Sequence, residues 1–232
     1  PGGLLPAARR IDNLPGYGRG ISGAELSERL RRHLSAAGAE WRPGTVTSLQ
    51  AGPPFALQTS DGPLEAHRVC LATGTRPRPL PPMLEALPGI ARDVRGLPDD
   101  MGSQRAVVIG GGDAAFDSAL TLADRGSRVT VVIRGARPRA ARHLLDEARE
   151  RVEVRLEAAL AAAAWDGEGY ELSWADGSGE RAHLLLAAIG RVPRDDLLPE
   201  GRHPIQDVDG GVTGLAVAGD LIRAQERYIA TA

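Results

Sequence analysis

The residues best placed to do chemistry are Gly110-Gly111-Gly112-Asp113-Ala114-Ala115, which fit the spacing G-x-G-x-x-A. Gly110 permits a tight turn. Gly112 lets a ligand reach the backbone with no Cβ in the way, and Ala115 allows a helix to pack closely on a strand. Backbone N–H groups at the start of such a helix, together with its dipole, favour an anion such as a pyrophosphate. A glycine run also makes an ordinary structural turn, so context decides. Here the motif follows the apolar run Arg105-Ala106-Val107-Val108-Ile109. It precedes residues 113–125, where Ala115, Ala119, Leu122 and Ala123 recur on one side of a helix.

A second apolar run follows, Arg128-Val129-Thr130-Val131-Val132-Ile133. Strand, glycine turn, helix and strand in this order form a right-handed βαβ unit. Dinucleotide sites that bind NAD place Asp or Glu after the second strand, on the ribose 2′-hydroxyl. This chain has Arg134, with Arg137, Arg139 and Arg142 behind it. A guanidinium grips a 2′-phosphate through paired hydrogen bonds, so the pattern favours NADPH. The competing readings are a solvated basic loop or a small nucleic-acid patch. No aromatic residue interleaves with the arginines, so a stacking surface for single strands is not expected.

The elements that must hold these residues can be read in outline. Residues 1–23 are rich in Gly and Pro and read as loop. Residues 25–37 carry Leu26, Leu30, Leu34 and Ala37 at helical spacing, with Gly38 as the stop. Residues 45–49, 55–59 and 64–72 read as strands, with Ser60-Asp61-Gly62 as the turn between the last two. Residues 76–104 are Pro-rich and irregular, and Arg76-Pro77-Arg78-Pro79-Leu80-Pro81-Pro82 reads as a domain crossing. Residues 143–151 read as a helix and 152–156 as a strand. There is also an internal echo. Phe55-Ala56-Leu57-Gln58 leads through Asp61-Gly62 to Val69-Cys70-Leu71-Ala72-Thr73-Gly74. Tyr170-Glu171-Leu172-Ser173 leads through Asp176-Gly177 to Leu185-Leu186-Ala187-Ala188-Ile189-Gly190. Two copies of one architecture suggest two nucleotide-binding modules.

Bulk properties narrow the choice. The formal net charge is −2, and all 28 basic residues are arginine. Nothing global points to a nucleic-acid or membrane partner. Cys70 is the one cysteine, which excludes a CxxC pair within this chain. Its strand context reads as buried, which favours a structural role. The five histidines show no metal-ligand spacing, and no nucleophile–base pair stands out. No apolar run reaches the length of a membrane span, and a cytoplasmic setting fits. The sequence opens at Pro1 and closes at Ala232 in what reads as the start of a helix, so it reads as truncated at both ends.

Together these motifs resemble the low-molecular-weight thioredoxin reductase group of FAD- and NADPH-dependent flavoproteins. Gly2-Gly3-x-Leu5, Asn13-x-Pro15-Gly16 and Gly20-Ile21-x-Gly23 resemble the segment that lies against the flavin. Ala72-Thr73-Gly74 resembles the family's ATG motif, and Gly214-Leu215-Ala216-Val217-Ala218-Gly219-Asp220 its Gly-Asp motif on the FAD ribityl chain and phosphates. Arg134 and Arg139 fall where the family holds the 2′-phosphate. Ala188-Ile189-Gly190, followed by Arg191, resembles its second nucleotide-side strand end. Arg227-Tyr228-Ile229-Ala230 falls where the family's backbone follows the flavin pyrimidine edge.

The resemblance implies an α/β fold with two dinucleotide-binding domains. A Rossmann-like NADPH domain, residues 84–192, would be inserted into an incomplete FAD domain, residues 1–83 and 193–232, whose first βαβ unit is absent. The implied site residues are Gly2, Gly3, Asn13, Thr73, Gly74, Gly219, Asp220, Tyr228 and Ile229 for FAD. For NADPH they are Gly110, Gly112, Asp113, Ala114, Ala115, Arg134, Arg139, Ile189, Gly190 and Arg191. No metal and no catalytic residue is implied. Leu4 stands where the family has glutamine and Ile133 where it has histidine. The expected activity is hydride transfer from NADPH to flavin. Electrons would then pass without a dithiol relay to a small electron-transfer protein or a small-molecule acceptor, as in ferredoxin/flavodoxin NADP reductases of this superfamily. The resemblance also implies a homodimer. The competing expectation is a nucleotide-binding remnant or sensor that holds NADPH without catalysis.

Overall fold

The computed structural model describes residues 3–50, 52, 54–198 and 214–221. In chain order a 3-10 turn (Leu5–Ala7) precedes α1 (Gly23–Ala36). Then come β1 (Val46–Gln50), β2 (Phe55–Thr59), β3 (Gly62–Ala66), β4 (Val69–Leu71), β5 (Thr75–Pro77) and the short α2 (Pro82–Glu85). The middle of the chain holds β6 (Arg105–Ile109), α3 (Asp113–Asp124), β7 (Arg128–Val132), α4 (Arg142–Ala148) and β8 (Glu153–Arg155). After it follow β9 (Leu160–Trp165), β10 (Tyr170–Trp174), β11 (Gly179–Ala182), β12 (Leu184–Ala187), β13 (Arg191–Pro193) and β14 (Leu215–Val217). A last 3-10 turn spans Gly219–Leu221.

Two compact units partition the chain. The larger groups the residues up to Glu28 with Pro77–Gly190; the smaller groups Arg29–Arg76 with the described residues that follow Gly190.

In the larger unit a parallel sheet runs in the order β12-β6-β7-β8. Val107, Val108, Val131, Leu185 and Leu186 are fully buried in it. Both faces are covered, which is why these strands read as continuous apolar runs. Phe116, Ala119, Leu120 and Leu122 of α3 pack on one face. The other face meets Tyr170, Leu172 and Trp174 of the antiparallel sheet β11-β10-β9. The segment expected to be loop at residues 1–23 is more ordered than that. Ile11 bridges Ile21, and Ala8, Ile11, Ile21 and Leu26 form a small core of their own. Ser22 Oγ accepts the Glu25 N–H at 3.1 Å and so caps α1.

In the smaller unit β1-β2-β3 form an antiparallel meander, β4 pairs in parallel with β14, and β5 pairs with β13. Two expectations are corrected here. Residues 64–72 are not one strand. β3 stays in the meander, and after His67 and Arg68 the chain enters a different sheet as β4. Cys70 is exposed, not buried. Among the described residues β4 has a single neighbour strand, and Cys70 and its register partner Ala216 lie on the open face, whereas Leu71 points into the core.

The internal echo is real in three dimensions. The meander β1-β2-β3 leads into the parallel strand β4, as the meander β9-β10-β11 leads into the parallel strand β12. The two copies end at glycines with positive φ, Gly74 at 66° and Gly190 at 104°.

Candidate functional site

The glycine turn sits between the carboxyl end of β6 and the start of α3, and its three glycines play different parts. Gly110 has φ 149°, and a Cβ there would lie 2.3 Å from the Ala188 carbonyl oxygen and 3.2 Å from Ala115 Cβ. A Cβ on Gly111 would lie 2.9 Å from Cγ2 of buried Ile133. Gly112 has φ −102°, which any residue adopts, and a Cβ there would meet nothing within 4 Å. The fold therefore demands glycine at 110 and 111 but not at 112. An open approach to the Gly112 backbone is what a bound pyrophosphate uses.

The arginine-bearing loop after β7 is pinned at both ends. At its entry the Ile133 N–H donates to the Arg155 carbonyl at 2.9 Å, and the Glu157 N–H to the Gly135 carbonyl at 3.1 Å. Glu157 pays for this with φ 53°, a left-handed backbone rare for a non-glycine residue. At the exit the Arg139 N–H donates to the Gly111 carbonyl at 2.6 Å. The Ala141 N–H donates to Asp113 Oδ1 at 2.7 Å, just before α4 begins. Arg134, Arg137 and Arg139 are exposed, and their side chains make no ion pair or hydrogen bond among the described residues. Uncommitted guanidinium groups beside a helix N-terminus and an open glycine can take the charge of a phosphorylated nucleotide. Ile189 and Gly190 follow β12, which pairs in register with β6, so they leave the sheet beside Gly110. The Gly190 carbonyl accepts the Arg78 N–H at 3.0 Å.

In the smaller unit, parallel pairing of β4 and β14 carries Thr73-Gly74 and Gly219-Asp220 to the same carboxyl edge. Ligands of open parallel sheets bind at such edges. Thr73 Oγ1 donates to the Arg194 carbonyl at 2.7 Å, and the Arg194 N–H donates to the Gly74 carbonyl at 2.9 Å. The Arg191 guanidinium donates to Thr75 Oγ1 and to the Thr75 carbonyl, each at 2.9 Å. Arg191 is thus engaged in holding β5 against β13. Gly219 has φ 68° with open space where a Cβ would be, a backbone that a bound group can approach.

Of the amino-terminal residues, Gly3 and Asn13 are both exposed, and the Gly3 carbonyl accepts from Arg95 Nη1 at 3.0 Å. Gly2, Tyr228 and Ile229 lie outside the described residues. The larger unit thus gathers Gly110, Gly112, Asp113, Ala114, Ala115, Arg134, Arg139, Ile189 and Gly190 about one turn. The smaller one gathers Thr73, Gly74, Arg191, Gly219 and Asp220.

The sequence missed what docks residues 3–22 on α3. The Arg9 N–H donates to Asp117 Oδ2 at 3.0 Å. The Arg9 guanidinium pairs with Glu147 and reaches Asp124 at 3.5 Å, and Arg151 closes the ring with Asp124 and with Glu147 at 3.0 Å. Asp117 is buried, and its Oδ1 has no hydrogen-bond partner among the described residues. Burial pushes its carboxyl up to about 6, against the opposing pull of the Arg9 N–H and guanidinium. An aspartate in mid-helix reads as a surface residue, so no sequence signal marked it.

Residues 12–214 match the pyridine nucleotide-disulphide oxidoreductases, and the chain belongs to that family. It is 31% identical over 258 residues to the bifunctional thioredoxin reductase/thioredoxin of Mycobacterium leprae, covering 100% of this chain and 55% of that protein. It is 30% identical over 252 residues to the thioredoxin reductase of Mycolicibacterium smegmatis, covering 100% of this chain and 81% of that protein. The chain therefore spans about half the length of the first of these relatives. The fold matches that of Lactococcus lactis thioredoxin reductase in its FR conformation with a TM-score of 0.83 at 23% identity, over 100% of this chain and 83% of that one. The fold is that of the flavoproteins with two dinucleotide-binding domains, among which the thioredoxin reductases use FAD and NADPH.

Proposed function

We propose that this chain is the nucleotide-handling part of an NADPH-dependent, FAD-containing oxidoreductase that passes electrons to its acceptor without a dithiol relay. The observation that carries the reading is the pinned arginine loop. Its backbone is bonded to Gly111 and Asp113, beside an open Gly112, and its Arg134, Arg137 and Arg139 are uncommitted. NADPH would bind with its pyrophosphate at Gly112 and the first turn of α3, and with its 2′-phosphate at Arg134 and Arg139. FAD would lie along Thr73-Gly74 and Gly219-Asp220; the family resemblance also assigns Gly2, Gly3, Asn13, Tyr228 and Ile229 to FAD. In this reading residues 84–192 serve NADPH, and residues 1–83 and 193–232 serve FAD.

The bound pair of cofactors supplies the hydride and electron chemistry, and the protein binds and orients them. No acid–base side chain is needed for that, and none is assigned. With Cys70 as the one cysteine of the chain, electrons would leave toward a small redox protein or a small-molecule acceptor rather than through a local disulfide. A homodimer is the proposed assembly. Among the described residues no helix is long and apolar enough to cross a membrane.

The test is a visible spectrum of the purified chain, with and without added FAD, before and after anaerobic NADPH. Retained flavin that NADPH bleaches supports the proposal. NADPH binding with no retained flavin overturns it for this chain and leaves a nucleotide-binding remnant.

A further inference from the structure

An acidic residue opens α3 at the point where an anion is expected, and this calls for a physical account. Asp113 is the first residue of α3, next to Gly112. Its carboxylate occupies the positive end of the helix dipole and repels any phosphate brought to the same place. A residue serving only the pyrophosphate would not be an acid. Asp113 Oδ1 instead accepts the Ala141 N–H at 2.7 Å. Ala141 ends the loop that begins at Arg134, and two residues earlier the Arg139 N–H reaches the Gly111 carbonyl at 2.6 Å. Among the described residues, Asp113 is the side chain that hydrogen-bonds to the backbone of this loop.

We propose that Asp113 is a positioning residue that selects the phosphorylated nucleotide, by stapling the arginine-bearing loop 134–141 across the glycine turn. The proposal rests on reading that turn as a nucleotide site. NADH and NADPH share a pyrophosphate and differ by the 2′-phosphate, so the two ligands separate the roles open to Asp113. A residue that touched the pyrophosphate would affect both. A residue that merely supported the fold would weaken both together with stability. A staple on the arginine loop affects the 2′-phosphate alone, and losing its charge leaves pyrophosphate binding intact or improved.

The experiment is equilibrium titration of the full chain with NADPH, NADH and adenosine 2′,5′-bisphosphate, for the wild type, Asp113→Ala and Asp113→Asn, with thermal melts as the fold control. Asp113→Ala is expected to weaken NADPH and the bisphosphate about tenfold, which corresponds to about 1.4 kcal/mol, and to leave NADH unweakened. Asp113→Asn keeps an oxygen that accepts the Ala141 N–H. It is expected to retain the preference for NADPH and to bind both dinucleotides somewhat more tightly. Equal weakening of NADPH and NADH in Asp113→Ala overturns the proposal, as does an unchanged preference. If Asp113→Ala does not fold, loss of the preference in Asp113→Asn overturns it. A wild type that binds neither dinucleotide, or that shows no preference for NADPH, overturns instead the reading of the site on which the proposal rests.

Discussion

Asp117 is the residue whose replacement has the most calculable consequence. Its side chain is 6% exposed, with Oδ2 on the Arg9 N–H and Oδ1 unpartnered. The residues that act on it are Arg9 and Arg10 from the amino-terminal segment and Glu147 from α4. Burial raises its carboxyl from 3.8 to about 6. The folded state therefore binds more protons than the unfolded state between those values, and stability falls as pH rises through that window. At about 1.36 kcal/mol per pH unit, the full penalty above pH 6 is about 3 kcal/mol. Asp117→Asn removes the ionisation and keeps an acceptor for the Arg9 N–H. Urea unfolding from pH 4.5 to pH 8 should show the variant gaining on the wild type as pH rises, by about 2–3 kcal/mol at the alkaline end. Parallel pH profiles for the two proteins would refute the reasoning.

Further outcomes follow from the same geometry. Gly110→Ala should destabilise the chain by about 2–4 kcal/mol in chemical denaturation, because its Cβ would meet the Ala188 carbonyl at 2.3 Å in a left-handed backbone. Gly112→Ala should change stability by less than about 0.5 kcal/mol. It should nevertheless weaken NADPH about tenfold or more, and equal stability losses at 110 and 112 would contradict this division. Glu157→Asn should stabilise by about 0.5–1 kcal/mol, seen as a rise of roughly 2 °C in the melting temperature, since Asn tolerates the left-handed backbone at φ 53°. The exposed Cys70 should react with an aromatic disulfide reagent to one thiol per chain without denaturant. Reaction only after unfolding would place it back in a core.

Much of the larger unit was legible because its physics is local. Val107, Val108, Val131 and Val132 form apolar runs because both faces of a parallel sheet are covered, and the glycine turn between them is constrained by φ and by close packing. What escaped depends on tertiary contact. Leu160-Ala161-Ala162-Ala163-Ala164-Trp165 forms β9, although alanine is a weak strand former and shows no alternation. Residues 64–72 look like one strand because the switch between sheets at His67-Arg68 leaves no break in composition. The pairing of β5 with β13 joins residues more than a hundred positions apart, with prolines in both strands. At the candidate site the glycines and arginines could be named from the chain alone. The staple from Asp113 to Ala141 could not, because a helix-opening aspartate has many ordinary partners.

The central claim concerns where the electrons go, and redox stoichiometry tests it most directly. The FAD-loaded chain carrying Cys70→Ala should be titrated anaerobically with NADPH while the flavin absorbance is followed. NADPH and FAD each carry two electrons, and this chain holds no disulfide to take up more. The account predicts complete bleaching at one equivalent of NADPH, with the variant matching the wild type. Bleaching that needs the cysteine, or flavin that stays oxidised with NADPH bound, would contradict it.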